Sequence, residues 1–406
     1  MGKFIINGYN RLSGEISVGG SKNAALPIIF ACITVHGVSR LKNLPDIGDV
    51  RVALDILRGF GAEIFLCDGE AKIDTRELYY TIPDEALVCK IRASSYLIGA
   101  CLARFGRAEL QSFGGCNFES RPIDMHVCAA ERLGARIEEN TLCVNELCGG
   151  EIVFDKISVG ATVNAIIMAS SAKGKSRIYG YAKEPHVIAL TDFLRSAGAN
   201  IEIRDEYIEI EGGTLVGADA KIIPDMIEAG TYISLALMNG ADIRIKNADA
   251  EHLTSFFYSV ADIGGVIRFY DDEIRVLGEG FERATVTASP YPGFPTDLQP
   301  IIAPLLAKGA GGTICEKVWK NRFGYLDELA RFGVKYLYGN AQAIIFSSSL
   351  HSAEACTTDL RGGAALLITA LSVEGRSVIN GAEIIKRGYA DIVKKLSCLG
   401  ADIKEI

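Results

Sequence analysis

Two kinds of apolar run alternate along the chain. The first is apolar on every face and turns, near a glycine, into a strand-like segment. It appears as Ala24–Ile33 before Gly37, Tyr96–Ala103 before Gly106 and Asn164–Ser171 before Gly174. It returns as Tyr232–Met238 before Gly240, Leu298–Ala307 before Gly309 and Ala364–Leu371 before Gly375. A helix that is apolar all round belongs inside a core. The second run is amphipathic and ends in a small-residue turn followed by a strand. Its six copies centre on Gly61, Gly134, Gly198, Gly264, Gly333 and Gly400, spaced 64 to 73 residues apart. That spacing is longer than the common solenoid repeats. Each of these glycines falls where a helix C-terminus needs a residue with positive φ.

The pattern therefore predicts six units, each with one buried helix, one amphipathic helix and several short strands. Six such units exceed a single core, so two domains of three units follow. The expected domains are residues 21–227 and residues 1–20 plus 228–406. Residues 1–19 have no room for a unit of their own, so their strands are expected to complete the sheets of the second domain. Two crossings would then act as a double hinge, with the active site in the cleft between the domains.

Composition narrows the function. Of 406 residues, 49% are apolar and 23% charged, which suits packed cores rather than disorder. A net charge of −8 argues against nucleic acid as a partner. The longest apolar stretch, Ala24 to Val35, is too short to span a bilayer, so no membrane role is expected. Eleven cysteines without a C-x-x-C pair, and no secretory leader after Met1, read as reduced thiols in the cytoplasm. The histidines show no metal-ligand spacing, and His126 is expected to be a surface or satisfied side chain. Neither metal nor cofactor is implied.

Polar residues cluster where the buried helices begin: Lys22-Asn23, Arg92, Ser158–Thr162, Glu228–Thr231, Pro295-Thr296-Asp297 and Asp359–Gly362. Helix N-termini carry unpaired N–H groups and a positive dipole end, which favour anions. Thr231, Thr296 and Asp297 can equally serve as N-caps. Lys22, Arg92 and Arg361 cannot, because a cation there opposes the dipole unless an anion lies beside it.

At these residues the chain resembles a known family. Ser21-Lys22-Asn23-Ala24-Ala25-Leu26-Pro27, Gly114-Gly115-Cys116 with Arg121-Pro122-Ile123-Asp124, and Ser158-Val159-Gly160-Ala161-Thr162 occur in order. Phe294-Pro295-Thr296-Asp297, Asn321-Arg322-Phe323, Thr358-Asp359-Leu360-Arg361 and Arg387-Gly388-Tyr389 follow. Together they resemble the enolpyruvyl transferases, and among them the UDP-N-acetylglucosamine 1-carboxyvinyltransferase family of peptidoglycan synthesis. The resemblance implies an α/β (α+β) fold of two domains, each a threefold repeat of βαβαββ units around buried parallel helices, an inside-out α/β prism.

It also implies substrates and roles. Phosphoenolpyruvate and UDP-N-acetylglucosamine would be the small-molecule substrates. Lys22, Asn23, Arg121 and Arg387 would contact phosphoenolpyruvate, with Arg322 and Arg361 on its carboxylate side. Arg92, Arg121, Pro122, Ile123, Asp124, Met125, Lys156, Ser158, Val159, Gly160, Asp297 and Val318 would hold the nucleotide sugar. Asp297 would be the general base, with Asp359 nearby, and Cys116 the general acid. The chemistry suits these types. The attacking hydroxyl loses a proton while the vinyl carbon gains one, and cations stabilise phosphate and carboxylate. The other ten cysteines are expected mostly in apolar helices or strands, where thiols stay inert. Departures from the family pattern occur at Phe113, Glu119, Gly362-Gly363, Lys386 and Ala390. They keep open a catalytically impaired paralogue that only binds the nucleotide sugar. Another enolpyruvyl transferase, such as the shikimate-pathway enzyme, is the other alternative, and Cys116 and the Ser158–Thr162 turn argue against it.

Overall fold

The computed structural model describes every residue except 1, 112, 115–121, 271–272 and 278–280. Cys116, Glu119 and Arg121 thus lie outside the described residues. All six all-apolar runs are helices: Lys22–Ala31, Leu97–Phe105, Val159–Ala169, Met226–Asn239, Gln299–Lys308 and Leu360–Leu371. Several begin well before their apolar stretch. Ser21, Ser158, Asp225 and Asp359 each accept hydrogen bonds from N–H groups of the first turn, which carries the helix upstream through polar residues. All twelve residues of the Leu360–Leu371 helix are buried. Truncating one of them, such as Leu367 at 1% exposure, to alanine costs about 2–5 kcal/mol.

The six repeat glycines, Gly61 to Gly400, all have φ between 91° and 118°, as a left-handed C-terminal turn demands. Gly309 lies in the expected glycine-containing turn between the Gln299–Lys308 helix and the Gly312–Glu316 strand. Its φ is −87°, and the positive φ, 81°, falls two residues later at Gly311.

Among the described residues, five four-stranded sheets share one plan: an edge strand parallel to its neighbour, then two antiparallel pairings. Ala284–Ala288, the Gln299–Lys308 helix, Gly312–Glu316, the Tyr325–Leu329 helix and the Lys335–Gly339/Gln342–Phe346 hairpin show it in chain order. This is the βαβαββ unit. In the last unit the fourth strand is supplied by the N-terminus. Lys3–Gly8 lies antiparallel between Gly375–Asn380 and Asp402–Glu405. Ser13–Ser17 likewise supplies the parallel edge beside Asp242–Lys246.

The chain divides into two compact units. One comprises residues 1–19 and 224–406, and the other residues 20–114 and 122–223. The second crossing falls at Ile223/Pro224, a few residues before position 227, because Asp225 caps the Met226–Asn239 helix and packs with it. In the first unit Phe4, Ile6, Leu12 and Ile16 share one core with residues 227–403. Its three buried helices pack against one another. Among the described residues, no helix is long and apolar enough to cross a membrane.

Candidate active site

In the unit of residues 1–19 and 224–406, the N-terminal ends of the three buried helices converge. Asp297 sits in the short turn Thr296–Leu298 that leads into the Gln299–Lys308 helix. Its Oδ1 lies 2.8 Å from Arg322 Nη1, and its Oδ2 lies 3.3 Å from Arg361 Nε. The Arg322 and Arg361 side chains are only 7% and 3% exposed, against 27% for Asp297. Burial opposes charge on both guanidinium groups. The carboxylates of Asp297 and Asp359 outweigh it for Arg322, and those of Asp297 and Asp225 help to do so for Arg361, so both stand above the ordinary value. The Arg361 guanidinium also lies 5.5 Å over the Tyr389 ring, whose hydroxyl meets Thr231 Oγ1 at 2.8 Å.

The cap alternatives resolve residue by residue. Asp359 is a cap, accepting from the N–H groups of Arg361 and Gly362 at 3.0 Å each. Thr231 bonds instead to the Ile227 carbonyl and to Tyr389. Thr296 donates to Glu316 Oε2 at 2.7 Å and accepts from Arg322 Nη1 at 3.1 Å. Glu316 also takes the N–H groups of Val318 and Trp319 at 2.8 and 3.1 Å, so one carboxylate ties the Val318 segment to the residue beside Asp297. Arg387 is half-buried after the Ala382–Ile385 helix, and the neighbouring Gly388 packs against Leu360.

In the other unit, Lys22 opens the Lys22–Ala31 helix, with Asn23 behind it, and its Nζ lies 2.7 Å from Asp49 Oδ2. Two of the cations at helix N-termini are thus met by carboxylates of the chain itself, Lys22 by Asp49 and Arg361 by Asp297. Arg92 begins the turn Arg92–Tyr96 before the Leu97–Phe105 helix, and burial pulls its guanidinium below the ordinary value. Pro122 and Ile123 precede the Asp124–Arg132 helix, which Asp124 and Met125 open. Ser158 caps the Val159–Ala169 helix, placing Val159 and Gly160 in its first turn. Lys156 is exposed on the segment leading there.

Of the two alternatives for His126 the satisfied one holds: it is buried, and its Nδ1 lies 2.7 Å from Asn164 Nδ2. The cysteine expectation is corrected. Cys67, Cys89, Cys128, Cys148, Cys356 and Cys398 are exposed; Cys67 and Cys356 end strands, Cys128 and Cys398 lie on helices, and Cys89 and Cys148 lie in connecting segments. Asp49, His126, Asn164 and Glu316 were not singled out from sequence as site residues. Glu316 had a signal: Gly312–Glu316 alternates with its first, third and fifth residues inward, so a carboxylate occupies a core-facing position.

The fold is that of the enolpyruvyl transferases, as comparison with known proteins shows. Residues 6–396 match the family model described as EPSP synthase (3-phosphoshikimate 1-carboxyvinyltransferase). A protein of Halothermothrix orenii, named UDP-N-acetylglucosamine 1-carboxyvinyltransferase, is 41% identical over the whole of both chains. One of Listeria monocytogenes, UDP-N-acetylglucosamine 1-carboxyvinyltransferase 2, is 39% identical over 99% of this chain and 97% of its own. Among solved structures, the enolpyruvyl transferase NikO from Streptomyces tendae superposes with a TM-score of 0.91 at 27% identity, covering 100% and 99% of the two chains. EPSP synthase from Acinetobacter baumannii shares the fold, with a TM-score of 0.73 at 16% identity over the full length of both chains. The chain belongs to the enolpyruvyl transferase family and is an enzyme of it.

Proposed function

We propose that this enzyme transfers the enolpyruvyl group of phosphoenolpyruvate to the 3-hydroxyl of UDP-N-acetylglucosamine and releases phosphate, the first committed step of peptidoglycan synthesis. The observation that carries the reading is the full-length match, at 36–41% identity, to relatives bearing that enzyme's name. The reaction proceeds by addition and elimination. The sugar oxygen bonds to C2 of phosphoenolpyruvate while C3 gains a proton. C3 then loses a proton, the C2–O bond to phosphate breaks, and the vinyl ether remains.

Asp297 accepts the hydroxyl proton in this proposal. Its carboxylate is oriented by Arg322 and Arg361, so those two residues act on the reaction at least in part through Asp297. Lys22, Asn23, Arg121 and Arg387 hold phosphoenolpyruvate, and Cys116 delivers the proton to C3. Arg92, residues 121–125, Lys156, residues 158–160 and Val318 hold the nucleotide sugar, and Asp359 acts as helix cap beside the base. Phosphate release should require both phosphoenolpyruvate and UDP-N-acetylglucosamine, and shikimate 3-phosphate should not replace the sugar nucleotide. Release with shikimate 3-phosphate would reassign the acceptor, and binding of UDP-N-acetylglucosamine without turnover would leave a binding paralogue.

A further inference from the structure

Asn164 lies wholly buried in the second turn of the Val159–Ala169 helix, and its amide is shared among elements remote in sequence. Oδ1 accepts from the Gly99 N–H at 2.6 Å, which fixes the amide's orientation and makes Nδ2 the donor. Nδ2 donates to the Ser95 carbonyl at 3.1 Å and to His126 Nδ1 at 2.7 Å, with the Gly160 carbonyl at 3.3 Å. Because Nδ1 accepts, the neutral imidazole carries its proton on Nε2. The Cε1–Nε2 edge of the ring lies against Gly160, where an added Cβ would come 2.9 Å from Cε1 and 3.1 Å from Nε2. A Cβ on Gly99 would come 2.6 Å from Asn164 Oδ1. Two positions without side chains therefore admit the pair.

The elements joined here are the same ones that carry the nucleotide-sugar residues of the proposed function. Ser95 follows Arg92 in one turn, His126 follows Pro122–Met125 at a helix start, and Gly160 belongs to the Ser158–Gly160 turn. From this geometry we infer that the His126–Asn164 pair is a positioning device for the sugar nucleotide. It holds these three segments in one register and takes no part in the chemistry on phosphoenolpyruvate. The amide of Asn164 is satisfied on both ends, so the pair is rigid, and losing the imidazole contact loosens the 122–126 segment alone.

The inference rests on the proposed function, and the test separates the two. Asparagine can place a polar atom near the position of Nδ1, whereas glutamine reaches toward Nε2. Both are polar and of similar volume, so folding differences between them are small. His126→Gln should raise KM for UDP-N-acetylglucosamine about tenfold, the scale of one buried hydrogen bond. Its kcat and its KM for phosphoenolpyruvate should stay within about twofold, and His126→Asn should stay near the parent enzyme in all three. Equal effects of the two variants, or a kcat that falls with the rise in KM, would overturn the inference while leaving the activity standing. Failure of the parent enzyme to bind UDP-N-acetylglucosamine by calorimetry would sink both.

Discussion

Arg361 Nε lies 3.3 Å from Asp297 Oδ2, and this contact joins the first turn of one buried helix to the approach of another. Arg322 grips the other oxygen of the same carboxylate at 2.8 Å. The candidate base is therefore held by two buried cations rather than by its own helix, and this suits a group that must keep one orientation while a hydroxyl docks against it.

Asp297→Asn keeps the side chain's size and removes its charge. Turnover should fall by about 10² or more, the scale of losing a general base, while UDP-N-acetylglucosamine binding by calorimetry survives. The variant should also melt lower, because two buried guanidinium groups lose their shared carboxylate. Phosphate release within tenfold of the parent would remove Asp297 from the proton-transfer role.

Asp359 separates capping from catalysis. Asp359→Ser retains an acceptor for the Arg361 and Gly362 N–H groups and should unfold close to the parent, whereas Asp359→Ala should lose about 1 kcal/mol in urea titration. If Asp359 is only a cap, the serine variant keeps its activity. A serine variant that is stable but inactive would give the carboxylate a chemical part.

His126 makes a prediction on pH. Burial pulls its pKa down to about 4, with Arg92 acting in the same direction and Asp124 against it. In the unfolded chain the group titrates near 6.5. The fold thus favours the neutral ring, and its contribution is fully present above about pH 6.5. It is lost as pH falls from there toward 4, by on the order of 3 kcal/mol. Imidazole NMR should place the His126 midpoint near 4, and the decline in unfolding free energy over this window should shrink in His126→Asn. A midpoint near 6.5 would refute the buried, accepting Nδ1.

Cys116 should be the thiol labelled fastest by an anionic epoxide resembling phosphoenolpyruvate, with acceleration by UDP-N-acetylglucosamine and protection by phosphoenolpyruvate. Burial pushes the Cys32 thiol up to about 12 and raises Cys101 further, so neither competes. The neighbouring Asp68 raises exposed Cys67 as well. Among the described residues six thiols, Cys67 included, are exposed, so peptide mapping must resolve each of them. Labelling spread evenly over those thiols, indifferent to both ligands, would leave Cys116 without a special role.

The repeat was legible from sequence because its determinants are local. An all-round apolar helix has only the core to go to, and Gly61, Gly134 and their four counterparts mark turns that a side chain resists. The helix starts were legible only from the polar residues: the apolar run begins at Asn164, while the helix begins at Val159, within the Ser158–Thr162 cluster, because the Ser158 hydroxyl caps it. The candidate residues Lys22, Asp297, Arg322 and Arg361 were visible as types in motifs. Their partners were not. Pairing Lys22 with Asp49, Asp297 with Arg361 and His126 with Asn164 spans 27, 64 and 38 residues of chain, and only convergence of helix ends in three dimensions brings them together. The local pattern alone determined which segments are buried and where they turn. The tertiary fold decided which charge answers which, because desolvation leaves each buried cation or ring dependent on the groups that packing places within hydrogen-bond reach.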